Sequence, residues 1–97
     1  MKKKYVIIRT YSAGVFAGYL ESYDNAEREA ILSDARRLWR WDGSASLSQM
    51  AMSGTSKPEA CKFPCEVTKV VLPQVIEILD VTKKAQKSIA SVPVWKA

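Results

Sequence analysis

Tyr5-Val6-Ile7-Ile8-Arg9-Thr10-Tyr11, the three small residues Ser12-Ala13-Gly14, and then Val15-Phe16-Ala17-Gly18-Tyr19-Leu20-Glu21 decide the fold class of this chain. The first and last of these segments are dense in β-branched and aromatic residues, which suit a pleated, half-buried surface. The residues between them are small enough for a tight reversal. Two strands joined by a short turn make a hairpin, and an antiparallel sheet follows from it. Gly18, inside the second strand, marks a bulge or a close backbone approach.

Outward from the hairpin, Tyr23-Asp24-Asn25-Ala26 reads as a turn. Glu29-Ala30-Ile31-Leu32 fits a third strand or a single helical turn, and is taken as strand. Residues 66–72 alternate as a strand, Pro73 interrupts, and residues 74–81 resume as an apolar strand, so Pro73 marks an edge or a turn. Two short helices are expected. Residues 44–53 carry Ser46 and Gln49 at capping-box spacing, an apolar stripe of Leu47, Met50 and Ala51, and Gly54 where a helix-ending glycine belongs. Thr82 caps the second, through about Ser91, with Ala85 and Ile89 apolar and Lys83, Lys84 and Lys87 solvated. The expected fold is α+β, mainly β: a small antiparallel sheet or partly open barrel of about five or six strands with two short helices. Residues 1–97 are read as a single domain.

Composition bounds the function. The chain has 97 residues, 47% of them hydrophobic, with 15 Lys and Arg against 10 Asp and Glu for a net charge of +5. That balance favours anionic partners without requiring them. No apolar run approaches the roughly 18 residues of a membrane helix, and Met1-Lys2-Lys3-Lys4 leads into a segment too short and polar for a signal peptide. A cytoplasmic protein with no membrane partner is expected. The sequence has no histidine, so Cys61 and Cys65, in Cys61-Lys62-Phe63-Pro64-Cys65, lack the usual companions of a zinc site. No metal and no cofactor are expected, and both thiols are read as reduced and buried or half-buried. A core this small also makes a homo-oligomer the expected state, with residues 92–95 or an exposed strand edge at the contact.

Ala35-Arg36-Arg37-Leu38-Trp39-Arg40-Trp41 carries the densest chemistry. Read as a strand, it puts Arg37, Trp39 and Trp41 on one face and Arg36, Leu38 and Arg40 on the other. The indoles are either core residues with arginine stems packed along them, or a stacking wall for a planar anionic ligand whose phosphate the arginines grip. The serine-rich start at Ser44, Ser46 and Ser48 follows this strand directly and suits an anion only if it converges with Arg9, Arg36 or Arg37. The turn Ser12-Ala13-Gly14 lets a ligand approach backbone. Candidate ligand-binding residues are therefore Arg9, Tyr11, Ser12, Gly14, Arg36, Arg37, Trp39, Trp41 and Ser46, with no catalytic residue among them.

The segments 9–18, 35–41, 44–52, 61–66 and 76–95 resemble small, functionally unassigned proteins encoded by phages and prophages. The resemblance spans nearly the whole chain and implies a full-length single domain. Proteins of that kind often bind and neutralise something of the host, which by analogy points to anti-defence work. No nucleophile is spaced with a base, so an enzyme is not expected. The expected function is non-catalytic sequestration of an anionic nucleotide, a cyclic nucleotide or cyclic ADP-ribose-type immune signal. The alternatives are an inhibitor of a host defence protein and a small nucleic-acid-binding protein. The last is disfavoured because the basic clusters are far apart in sequence.

Overall fold

The computed structural model describes residues 3–97, with Met1 and Lys2 outside the described residues. Its elements run β1 (Tyr5–Thr10), β2 (Val15–Asp24), β3 (Glu29–Arg37), α1 (Leu47–Ser53), a 3-10 turn (Pro58–Ala60), β4 (Val67–Leu72), β5 (Val75–Asp80) and α2 (Lys83–Ser91). The fold is α+β and mainly β. The five strands form one antiparallel sheet in the order β4-β3-β2-β1-β5.

The hairpin is in place, with Ile7 opposite Ala17 and Ile8 opposite Phe16. β2 runs two residues into the expected turn, to Asp24, whose carboxylate then accepts from the backbone N–H groups of Ala26 and Glu27 to reverse the chain. Glu29-Ala30-Ile31-Leu32 is a strand, continuous with residues 33–37 through a residue of positive φ at Asp34. The β2–β3 register shifts twice, between Ala17 and Tyr19 and between Leu20 and Ser22. Such bulges bend a strand and tighten its twist.

The bending has a topological counterpart. β4 and β5 stand at opposite edges of the sheet, yet only Pro73 and Gln74 separate them in the chain. Three Cα–Cα steps span at most about 11 Å, so the two edges must come together at that corner. The sheet is an open roll. Tyr11 N–H donates to the Gln74 carbonyl at 3.0 Å and Val75 N–H to the Arg28 carbonyl at 2.9 Å, which pins the corner over the ends of the two hairpins.

Rolling gives the sheet two buried faces. Inside it, Val6, Ile8, Phe16, Ala30, Leu32, Ala35, Leu72 and Val75 bury one another, with all five strands contributing and neither helix. Outside it, Ile7 and Ala17 pack with Met50 and Ala51 of α1, Ile89 of α2, and Leu38, Cys61 and Phe63. Both helices carry their expected caps, although α1 starts at Leu47 rather than Ser44. The Ser46 hydroxyl accepts from Gln49 N–H, and Ala45 N–H donates back to the Gln49 side chain. Thr82 joins the helices, donating its hydroxyl to the Met52 carbonyl at 2.8 Å and accepting from Ala85 N–H at 3.0 Å. Gly54 ends α1 at φ 77°, ψ −148°, a conformation confined to glycine. Cys61 is buried as expected, but Cys65 is exposed, because it lies past the last contact of its loop with the core; both thiols are free.

Candidate functional site

The stretch 35–41 does not continue as one strand. β3 ends at Arg37, and Leu38, its N–H held by the Val15 carbonyl at 2.9 Å, turns into the core. Beyond Val15 the neighbouring strand has no residue left to pair, so the ladder stops and the alternation of faces stops with it. Arg40 pairs instead with Lys62 across an isolated bridge, through bonds of 3.3 and 2.7 Å. The two indoles therefore part company. Trp41 is half-buried against the outer core, whereas Trp39 is 54% exposed.

Trp39 meets Trp95. The rings lie 4.8 Å apart between centroids and 7° from parallel, and Trp95 is itself 43% exposed. The chain end is placed for this by a parallel bridge between Phe63 and Val94 and by Trp95 N–H donating to the Phe63 carbonyl at 3.0 Å. The tail thus packs back on its own fold. The Lys62 ammonium stands 5.8 Å from the Trp39 centroid and 5.4 Å from that of Trp95, close enough for a cation–π attraction to both. Arg40, as the bridge partner of Lys62, adds an exposed cation on the same side of that ladder.

The two neighbouring arginines also separate. Arg36 was expected to grip phosphate, but its side chain enters the outer core, opposite Ala17, and is 5% exposed. Its guanidinium donates to four backbone carbonyls: Pro64 at 2.9 Å, Ile89 at 2.9 Å, Phe63 at 3.1 Å and Val92 at 2.7 Å. Burial pulls its pKa below the ordinary arginine value, opposed by Tyr5, Glu66 and Cys65. With its donors engaged by carbonyls, Arg36 fastens the sheet to α2 and has no fork to offer a ligand. Arg37 points to the other face, 4.3 Å over the Phe16 ring, and donates to the Ala13 carbonyl at 2.6 Å. It closes on the small-residue turn, where Gly14 has φ 91° and a side chain in place of its hydrogen would crowd the Arg37 guanidinium.

The remaining candidates do not gather into one concavity. Arg9 is paired with Glu77 at 3.0 Å on the face opposite Arg37. Tyr11 is 78% exposed, and the Ser12 hydroxyl donates to Gln74 at 2.6 Å. Ser46 is occupied as a cap on a helix of seven residues, too short to present an anion site of its own. The structure therefore brings together Arg37 with Ser12–Gly14, and Trp39 with two residues that the candidate set omits, Lys62 and Trp95.

Residues 3–89 match the family model described as a domain of unknown function, DUF6948. The chain belongs to that family. No curated protein and no solved structure gives a significant match. In DUF6948 terms the matched stretch holds the roll, α1, all of α2 but its last two residues, and Trp39, Arg40 and Lys62, while Trp95 lies beyond it. Among the described residues of this DUF6948 chain, no group of three or more His, Cys, Asp or Glu is placed to hold a metal ion, and no helix is long and apolar enough to cross a membrane.

Proposed function

We propose that the chain is a non-catalytic binding protein that captures an anionic nucleotide, with the Trp39–Trp95 pair as its stacking platform. The carrying observation is the parallel indole stack at 4.8 Å, half-exposed on both rings and attended by the Lys62 ammonium. Stacked rings satisfy each other on one face, and the opposite faces remain for a third planar group. A nucleobase supplies such a group at a worth of about 1–3 kcal/mol per stacked base. Lys62 and Arg40 then stand where a phosphate attached to that base can reach a cation. Large exposed aromatics with cations at the rim are a feature of binding surfaces. Together with the resemblance to phage-encoded proteins, this supports sequestration of a cyclic nucleotide or cyclic ADP-ribose-type signal as the biological outcome.

The test is tryptophan fluorescence during titration with linear and cyclic nucleotides, run beside single- and double-stranded DNA over a salt series. Saturable quenching by a nucleotide that is recovered chemically intact supports capture. A steep salt-dependent affinity for DNA with no nucleotide response moves the function to nucleic-acid binding. Silence with both moves it to a protein target.

A further inference from the structure

The sheet carries a second feature that no local motif announces. Tyr5 on β1 is opposite Tyr19 on β2, Tyr19 opposite Ser33 on β3, and Ser33 opposite Lys69 on β4. Residues directly opposite in antiparallel strands share a face, so these four make one polar row across four strands. The row lies on the helix-bearing side, since Tyr5 packs against the outer core. Where it meets α2, a groove of about 340 Å³ opens between Lys3, Tyr5, Tyr19, Lys83 and Gln86. That volume falls at the lower end of small-ligand sites.

Nearly every group turned to this groove donates. Tyr5 and Tyr19 meet edge to face at 5.1 Å, which fixes both rings. Gln86 Nε2 donates to the Tyr19 hydroxyl at 2.8 Å, so that hydroxyl, already accepting, has its proton to give. Burial, with Glu66 second, pushes the Tyr5 pKa up to about 12, so this phenol also keeps its proton. Lys83 has no carboxylate within ion-pair distance among the described residues. Two acids are near: Glu21 is taken, since Lys3 reaches it at 2.7 Å and Ser33 donates to it as well, and Glu66, which acts on Tyr5, is not among the residues that line the groove.

We propose that this groove is an oxyanion site that takes a phosphate group, free or at the end of a small phosphomonoester. Lys83 supplies the charge and the Tyr19 and Tyr5 hydroxyls the directed donors, with Lys3 at the rim. The site shares no residue with the indole platform and stands or falls independently of it.

Nuclear magnetic resonance titration of the whole chain decides the matter, using inorganic phosphate and phenyl phosphate at constant ionic strength held with chloride. The expected result is saturable shifts at the amides of Tyr5, Tyr19, Lys83 and Gln86. Lys83→Ala should weaken binding about tenfold or more, and Tyr19→Phe should weaken it severalfold while keeping the ring. Trp39→Ala should leave it unchanged. Equal affinity for the two probes assigns free phosphate, and tighter phenyl phosphate assigns a monoester. Shifts that never saturate and spread over all surface lysines overturn the site, as does a Lys83→Ala protein that binds both probes like the parent.

Discussion

Arg36 Nη2 donates to the Val92 carbonyl at 2.7 Å, joining β3 to the end of α2 across 56 residues of chain. With its other three bonds it holds the last turn of α2, the Phe63–Pro64 loop and the sheet in one arrangement. The same loop positions Trp95 through the Phe63 carbonyl. Arg36 thus supports the indole platform from below without touching it.

Arg36→Ala is expected to destabilise the fold by about 3–4 kcal/mol, because several buried carbonyls lose their donor and each such loss costs about 1–3 kcal/mol before relaxation. Arg36→Lys is expected to recover less than half of that, since one ammonium cannot reach four carbonyls set around a planar fork. Urea unfolding of the two variants measures both numbers.

Gly54→Ala places a side chain inside van der Waals contact of the Ser88 Cβ and Oγ, at a backbone conformation that only glycine adopts freely. A loss of about 2–4 kcal/mol is expected from strain and clash together. The Ser88 hydroxyl, which receives Thr55 N–H at 3.0 Å, moves with it, so exchange protection at the Thr55 amide should fall in the same variant.

Much of the fold was legible because its signals are local. A cap acts within four residues, and Ser46 with Gln49, Gly54 and Thr82 all do in the structure what their spacing implies. The hairpin follows from alternation over consecutive residues, and Pro73 with Gln74 makes the turn the proline implied. The site was less legible because its residues meet through tertiary packing. Alternation separates Arg36 from Arg37 but does not say which faces the helices, and that choice decides which is a staple. Period two fails at Trp39 and Trp41 because their strand has already ended. Nothing near Trp39 in sequence names Trp95 as its partner, and nothing near Lys3 names Lys83.

Tyr5 should ionise later than an ordinary tyrosine. Its pKa is raised to about 12 by burial and by Glu66, while in the unfolded chain it sits at the ordinary value near 10. Between these values the unfolded state loses the proton first, so stability is complete below pH 10 and falls as pH rises towards 12. Spectrophotometric titration of tyrosinate absorbance should show a late ionisation phase that disappears in Tyr5→Phe.

One thiol should react with a maleimide in the native protein and two after denaturation. Cys65 is exposed, whereas Cys61 is buried beside Thr55 and the Asp42 and Lys57 carbonyls. Mass spectrometry of the labelled protein locates the first adduct. Rapid native labelling at Cys61 would mean that the loop beneath the indole platform opens.

Calorimetric titration of the parent and of Trp39→Ala with the same cyclic nucleotide is the most direct measurement of ligand capture, provided both proteins melt at the same temperature. The parent is predicted to bind saturably, and the variant to lose about 5- to 150-fold in affinity, the equivalent of about 1–3 kcal/mol for one stacked base. Equal affinity in the two proteins, or no heat from any nucleotide with the parent, would contradict it.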